Sequence, residues 1–380
     1  MDAHLGAEVG DVRCAARSPV VRAGGPAAPR GGRVGLRVDG TISSVERLGV
    51  GAAFRRRRLR SGVKGAPDQI LVAQRSVRWW TGALVLAALL AGCNVVQWQK
   101  ASLVASLREQ GLSSRELAVG DDTVRAWVRE GEGVPIVFVH GFGSEALWQW
   151  AEQVRAFDGR PLVLLDLLWF GRSRAGEPDY SLDRQAAAMA GALDALGMDR
   201  FDLVGISYGG LVVTELATAH PERVRRLVIL DSPGRAYTRE DHARLLARFR
   251  VRHVGELMVP ARDEDVRRMM AVAYYDPPFA PDFVLSQIRG ELYPPERRRT
   301  LYAILDSLER DLPRLTHRAH PTAPTLVIWG DGDPIFPLAI ARRLVRQMPD
   351  ARLVVIERAR HTPNLERPGA VNAALQRFLR

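Results

Sequence analysis

Short apolar runs alternate with longer amphipathic stretches from residue 116 to the C-terminus. Runs rich in Val, Leu and Ile, typical of strands buried on both faces, lie at residues 134–139, 162–165, 203–205, 227–230, 326–329 and 353–356. Stretches with helical spacing of their apolar residues lie at 183–196, 211–219, 338–348 and 370–379. Strands that alternate with helices predict an α/β fold with a mostly parallel sheet covered by helices on both faces.

Two further intervals complete the predicted architecture. Residues 116–119 and 124–128 flank the turn Gly120-Asp121-Asp122 and predict a β-hairpin, which brings the sheet to eight strands. Residues 231–324 contain no convincing core strand. They carry charged amphipathic stretches at 239–250, 263–273 and 296–310. Because an interval of this length is not a structureless loop inside a compact domain, we predict a helical cap at about 233–322.

The first 76 residues are rich in Gly, Ala, Pro and Arg, a composition that predicts a disordered basic leader, absent altogether if translation starts further downstream. Residues 1–78 carry 15 Lys/Arg against 6 Asp/Glu, and residues 79–380 carry 39 against 37. The net charge of +11 therefore belongs mainly to the leader. The run Arg55-Arg56-Arg57-Arg58 is interpreted as a solvated tail, with a patch for nucleic acid or anionic lipid as the alternative. The remaining chain has no basic block, so no nucleic-acid partner is expected.

Residues 77–98 have the plan of a secretory signal or a membrane anchor. A basic flank precedes an apolar run over residues 81–90, and small residues follow it. Leu90-Ala91-Gly92-Cys93 resembles the bacterial lipobox, in which the cysteine is lipidated. An uncleaved membrane helix framed by Trp79-Trp80 and Trp98 is the alternative. Both interpretations place the protein on the extracytoplasmic (periplasmic) face of a membrane, with residues 99–114 as a linker.

The segment Gly205-Ile206-Ser207-Tyr208-Gly209 follows a predicted strand and precedes a predicted helix. A sharp strand-to-helix turn forces the serine into strained backbone geometry, and side chains at the two flanking positions would collide. The turn lifts the serine hydroxyl into the open, near the free N–H groups of a helix N-terminus. This context predicts Ser207 as a nucleophile.

A serine hydroxyl needs a base within hydrogen-bond reach. His361 follows the last strand signal directly before the C-terminal helical stretch, and we predict it as the base. His220, His317 and His320 are interpreted as a helix end and solvent-facing residues. The acid that orients the histidine should follow a strand.

Three aspartates compete for the role of that acid. Asp331 and Asp333 both follow the strand signal at 326–329, and Asp231 follows the preceding strand. Asp333 is the predicted acid, because Asp331 is better placed to shape the turn through its own side chain. Asp231 remains the alternative. With Asp333, the chain order is Ser, Asp, His.

The intermediate of acyl transfer carries an oxyanion, which needs N–H donors. The backbone N–H of Tyr208, directly after the nucleophile, is one predicted donor. The N–H of Phe142 in His140-Gly141-Phe142-Gly143 is the other. Candidate pocket residues near these motifs in the sequence are Leu147, Trp148 and Trp169.

With these motifs in order, the chain resembles the α/β-hydrolase family of serine esterases, lipases and carbon–carbon bond hydrolases. Further matching segments are 166–173 (Asp-Leu-Leu-Trp-Phe-Gly-Arg-Ser) and 361–368, and the resemblance covers the domain at 115–380. It implies Ser207, Asp333 and His361 as the catalytic triad, with Phe142 and Tyr208 as oxyanion donors. It departs from the family pattern at Leu168-Trp169, where Pro-Gly is usual.

The expected activity is hydrolysis of an ester or a related acyl bond of a small-molecule substrate through an acyl-enzyme on Ser207. An acyltransferase or perhydrolase, or a carbon–carbon bond hydrolase, would use the same residues. A catalytically silent binding protein is a further alternative. Cys14 and Cys93 both lie upstream of the domain, which excludes a disulfide framework and a cysteine-based metal site there. No metal or organic cofactor is expected.

Overall fold

The computed structural model describes residues 94–380 of the chain. The predicted leader (1–76) and Cys93 lie outside these residues, as does most of the predicted anchor. Within residues 94–380, no helix has both the length and the apolar character needed to cross a membrane.

Eight strands form one sheet. They are β1 (Ser113–Val119), β2 (Asp122–Arg129), β3 (Ile136–Val139), β4 (Leu162–Leu165), β5 (Phe201–Ile206), β6 (Val224–Leu230), β7 (Thr325–Gly330) and β8 (Ala351–Ile356). Their order is β1-β2-β4-β3-β5-β6-β7-β8. β2 pairs antiparallel with both β1 and β4, and the pairs from β4 to β8 are all parallel. The predicted α/β fold is confirmed.

The central strands are buried on both faces, and their side chains alternate between two apolar cores. In β3, Val137 and Val139 belong to one core, whereas Ile136 and Phe138 belong to the other. This period of two is the geometry of a pleated strand. It explains why these strands have continuous apolar sequences, whereas a half-exposed strand would alternate apolar with polar residues.

Helices cover both faces of the sheet. Those next to the first core are α3 (Leu182–Ala195), α4 (Tyr208–Ala219) and α10 (Leu338–Gln347). Those next to the second core are α1 (Val95–Glu109), α2 (Ala146–Val154) and α12 (Pro368–Phe378). A short helix, α11 (Pro363–Glu366), precedes α12. The C-terminal ends of the parallel strands and the helix N-termini meet at one edge, which is where ligands bind in such sheets.

Helix α1 corrects the prediction of a linker at 99–114. Its side chains Val96 and Leu107 are buried, and Leu103 and Val104 pack against the second core. Asn94 caps the helix, because its side chain accepts a hydrogen bond from the N–H of Gln97 (3.0 Å). The segment is therefore a packed helix down to Glu109.

Between β6 and β7 the chain forms helices only, within the part that the structure describes. They are α5 (Arg239–Phe249), α6 (Gly255–Met258), α7 (Asp263–Ala273), α8 (Asp282–Leu292) and α9 (Pro295–Leu315). A reciprocal capping box between Thr238 and Asp241 starts α5. We call residues 233–322 the cap. Leu301 and Ile304 of α9 are fully buried in the first core, which fixes the cap to the sheet.

Candidate active site

The nucleophile elbow lies between β5 and α4. Ser207 has φ 52° and ψ −121°, a conformation that costs free energy for a residue with a Cβ. A Cβ at Gly205 would collide with Gly209 and Val213, and a Cβ at Gly209 would collide with the backbone of His140. The glycines are therefore required for this turn, which leaves the side chain of Ser207 partly accessible.

His361 lies after β8 in the turn before α11, and its ring is buried. Its Nε2 atom is 2.8 Å from the Oγ atom of Ser207. Its Nδ1 atom is 2.8 Å from the Oδ2 atom of Asp333. Because the carboxylate accepts the proton of Nδ1, Nε2 is left free to accept the serine proton. The structure thus brings the three predicted catalytic side chains into one hydrogen-bonded chain.

Asp333 is held rigidly by its own loop after β7. Its Oδ1 atom accepts hydrogen bonds from the backbone N–H groups of Ile335 (2.8 Å) and Phe336 (3.1 Å). Both carboxylate oxygens are therefore engaged. These hydrogen bonds fix the orientation of the carboxylate toward the histidine.

The two competing aspartates have different surroundings. Asp331 is exposed, and its carboxylate accepts a weak hydrogen bond from the N–H of Ala359 (3.4 Å). Asp231 is completely buried, with φ 37°, and its Oδ1 atom accepts from the N–H of Gly330 (2.9 Å). Burial and the nearby charge of Asp333 raise the pKa of Asp231 well above its usual range. Burial therefore favours the neutral form of this carboxyl, which lies behind the triad.

The two predicted oxyanion donors come from loops packed against each other. Gly141 lies so close to the elbow that a Cβ there would be 3.4 Å from the Cβ of Ser207. Within residues 94–380, the N–H of Phe142 donates to no protein acceptor. Tyr208 is the first residue of α4, so its N–H has no acceptor inside the helix. Both groups are available beside Ser207.

His140 is structural. It is fully buried, its Nδ1 atom is 2.7 Å from the carbonyl of Gly141, and its Nε2 atom accepts from the N–H of Leu167 (3.0 Å). Burial lowers the pKa of His140 to about 4. The neutral ring therefore joins the loop after β3 to the loop after β4, and it makes no contact with the triad.

Aromatic side chains surround the triad, and sequence reasoning missed two of them, Phe170 and Phe336. The rings of Phe142 and Phe170 are 5.6 Å apart, and that of Phe142 is 6.2 Å from Tyr208. On the other side, Phe336 lies 5.5 Å from the His361 ring. Phe336 follows Asp333 by three residues, and Phe170 follows Trp169 directly. Their closeness in sequence to these predicted site residues could have identified both.

The three predicted pocket residues occupy different places. Leu147 is 3% exposed and packs in the second core, because that face of α2 points away from the elbow. Trp148, on the same helix, is partly exposed, and its indole N–H has no hydrogen-bond partner among residues 94–380. Trp169 has φ 67°, and its carbonyl accepts two hydrogen bonds from Arg297 of the cap (2.9 and 3.2 Å). Trp169 therefore lies where the cap meets the loop after β4.

Comparison with known proteins gives consistent matches over the domain. Residues 136–374 match the model of the alpha/beta hydrolase family. A 2-hydroxymuconate semialdehyde hydrolase of Pseudomonas putida is 32% identical over 260 residues, which cover 66% of this chain and 88% of that enzyme. Lipase 1 of Psychrobacter immobilis is 28% identical over 262 residues, 67% of this chain and 80% of the lipase. A solved bacterial membrane phospholipase A has a TM-score of 0.60 at 26% identity, covering 80% of this chain and 97% of that one.

Proposed function

Because this chain belongs to the alpha/beta hydrolase family, we propose that it is a serine hydrolase that cleaves a carboxylic ester through an acyl-enzyme on Ser207. The observation that carries the proposal is the hydrogen-bonded chain from Ser207 through His361 to Asp333, with both contacts at 2.8 Å. This is the arrangement in which an imidazole removes the serine proton as the oxygen attacks a carbonyl carbon.

The reaction follows from the positions of these groups. His361 takes the Oγ proton of Ser207 onto Nε2, and Oγ bonds to the carbonyl carbon of the ester. The negative charge on the former carbonyl oxygen is stabilised by the N–H groups of Phe142 and Tyr208. The intermediate collapses when the alcohol leaves with the proton from His361. Water then repeats the steps on the acyl-enzyme and releases the acid.

The surroundings of the triad support an ester with an apolar acyl group. Phe142, Phe170, Tyr208 and Phe336 present aromatic rings around the hydrogen-bonded triad. Apolar walls with a few fixed polar groups are typical of sites for apolar small molecules. The relatives named as a lipase and a membrane phospholipase A agree with such a substrate.

A carbon–carbon bond hydrolase is the second candidate, because one relative at 32% identity is a 2-hydroxymuconate semialdehyde hydrolase. The same nucleophile and base would serve that reaction. An acyltransferase or perhydrolase would differ only in the acceptor that resolves the acyl-enzyme.

We expect p-nitrophenyl esters with acyl chains of medium length to be hydrolysed at least about tenfold faster, in kcat/KM, than the acetate ester. The reason is that each CH₂ group buried against the aromatic walls contributes about 0.8 kcal/mol. The measurement is kcat/KM over a chain-length series, with 2-hydroxymuconate semialdehyde assayed in parallel. Turnover of the semialdehyde without any ester hydrolysis would replace the ester proposal with the carbon–carbon alternative.

The predicted anchor at 77–98 overlaps α1 over residues 95–98, so we propose that residues 77–93, upstream of α1, hold the enzyme on the extracytoplasmic face of a membrane. The basic flank, the apolar run and the segment Leu90-Ala91-Gly92-Cys93 support this proposal. The preferred form is a lipid anchor on Cys93, and a membrane helix is the alternative. We expect mass spectrometry of the mature protein to find an acylated Cys93 as its first residue. An intact chain through Cys93 would leave only the membrane helix, and full recovery of the protein in a detergent-free soluble fraction would contradict both.

A further inference from the structure

Most of the large apolar side chains that the described residues expose belong to α1 or to the nearby part of the cap. They are Trp98, Tyr275, Phe279 and Phe283, and Val355 on β8 is the remaining one. Phe279 is 93% exposed and Phe283 is 46% exposed. Single exposed apolar residues are common, but a concentration of aromatic rings in one region marks a surface that meets a partner. We call Phe279, Phe283 and Trp98 the apolar rim.

The apolar rim lies near the N-terminal ends of α1 and α8, which run parallel. The N–H of Val95 donates to the Oε1 atom of Gln287 (2.9 Å), and the Nζ atom of Lys100 is 2.7 Å from Glu291. Both contacts advance along α1 and α8 in the same direction, so the helices run parallel. Phe283 precedes Gln287 by one helical turn on the same face. It therefore lies next to the N-terminus of α1, where the chain enters the described domain.

Cys93, the proposed lipid attachment site, directly precedes Asn94, and in the alternative membrane helix the apolar run lies just upstream of it. Leu90 is the last residue of that run, and three residues separate it from Asn94. A fully extended chain spans at most about 3.6 Å per residue, so the gap is no longer than about 14 Å. A bilayer that holds the anchor consequently lies close to the start of α1 and to the rim beside it.

The segment that carries the rim also contacts the loop of the catalytic histidine. The carbonyl of Ala273 accepts a hydrogen bond from the Oγ1 atom of Thr362 (3.0 Å), the residue after His361. The N–H of Tyr275 donates to the carboxylate of Glu366 in α11. The guanidinium groups of two arginines lie over the ring of Tyr275, at 5.8 and 5.9 Å. The rim is thus connected to the edge of the active site.

We propose that the apolar rim docks onto a lipid bilayer and that the active site takes its ester from that bilayer. The second half of this inference rests on the proposed function, because it names the substrate of that site as an amphiphilic ester held in the membrane. Aromatic rings are well suited to the interface, where their apolar bodies displace water among the lipid headgroups. The anchor and the rim then hold the same end of the domain against the membrane.

The contact itself is tested without any enzymatic assay. The full-length chain is reconstituted into vesicles of phosphatidylcholine and phosphatidylglycerol whose acyl chains carry bromine, a quencher of tryptophan fluorescence. Phe279→Trp is compared with Val355→Trp, which adds the same ring at another exposed apolar position. We expect the added tryptophan to be quenched and blue-shifted at position 279 and to be neither at position 355.

Two results would overturn the docking. Quenching at position 279 that does not exceed that of the unsubstituted protein would show that the rim does not meet the bilayer. A blue shift at position 279 that persists in detergent without quenching in vesicles would show that protein covers the rim, either a second copy of the chain or its own upstream residues.

The delivery of substrate is tested with the full-length double variant Phe279→Ser/Phe283→Ser. We expect hydrolysis of a long-chain ester embedded in vesicles to fall about tenfold, because two rings no longer enter the interface. Activity toward soluble p-nitrophenyl acetate should stay within about twofold, which also shows that the variant is folded. Val355→Ser is the matched control and should change neither rate.

The possible failures are distinguishable. If the natural protein hydrolyses no ester, the proposed function fails, while the quenching still reports on the rim. If soluble and embedded esters lose activity equally in the double variant, the rim has no part in delivery.

Discussion

Ser207→Ala and His361→Ala are each expected to reduce kcat for ester hydrolysis by on the order of 10⁴- to 10⁶-fold. The physical reason is that the serine proton has one acceptor in the structure, the Nε2 atom of His361 at 2.8 Å. Without the imidazole the hydroxyl is a weak nucleophile, and without the hydroxyl no acyl-enzyme forms. The measurement is single-turnover and steady-state hydrolysis of a p-nitrophenyl ester.

The double variant provides the control for this prediction. Because the two side chains act as a unit, Ser207→Ala/His361→Ala should be no slower than the worse single variant. Circular dichroism should show an unchanged fold for all three. A loss of less than about 100-fold in Ser207→Ala, with labelled acyl-enzyme on another residue, would contradict the assignment of the nucleophile.

Asp333→Asn is expected to reduce kcat by on the order of 10⁴-fold, because the amide presents the wrong group to Nδ1 and favours the wrong tautomer of His361. Asp231→Asn and Asp331→Asn should each cost less than about tenfold. Burial favours the neutral form of Asp231, which an amide resembles, and Asp331 is exposed and bonded to the N–H of Ala359. If Asp231→Asn reduced kcat as much as Asp333→Asn, Asp231 and Asp333 would both be needed to orient His361.

Asp231→Asn is also expected to change how the free energy of unfolding depends on pH. The pKa of Asp231 is raised in the folded protein, so folding retains a proton that the unfolded chain releases above a pH of about 4. The contribution of this carboxyl is fully present below that pH and is lost as the pH rises toward the folded pKa. Asp231→Asn removes this pH-dependent contribution to the free energy of unfolding. Its midpoint of unfolding should therefore fall less than that of the natural protein as the pH is raised from about 4. Parallel denaturant titrations from that pH upward measure the difference.

Local rules were sufficient for the sheet and for the elbow. Strands buried on both faces must be apolar at every position, so β3 and β4 could be predicted from their composition. Gly205 and Gly209 are dictated by collisions with neighbours in the same turn and the adjoining loop, which makes the motif around Ser207 interpretable on its own. The loop position of His361 after the last strand follows from the same alternation of strands and helices.

Features that depend on contacts distant in the sequence were not predictable. Residues 99–114 were interpreted as a linker between the proposed anchor and the domain, because the burial of the apolar residues of α1 depends on α2 and the second core. Leu147 was predicted to line the pocket because it lies near the motifs in the sequence. That proximity does not determine which face of α2 points toward the active site. The place of Asp231 behind Asp333 depends on the pairing of β6 with β7.

The backbone of Ser207 also bears on how the chain has evolved. A residue with a Cβ at φ 52° and ψ −121° costs about 1–3 kcal/mol, and glycine at the same position would remove most of that cost. A protein that used this fold only to bind would gain stability by drifting to glycine at this position and would lose nothing. The presence of serine at a site that penalises it is what selection for turnover predicts, because the destabilisation is tolerated only while the hydroxyl is needed.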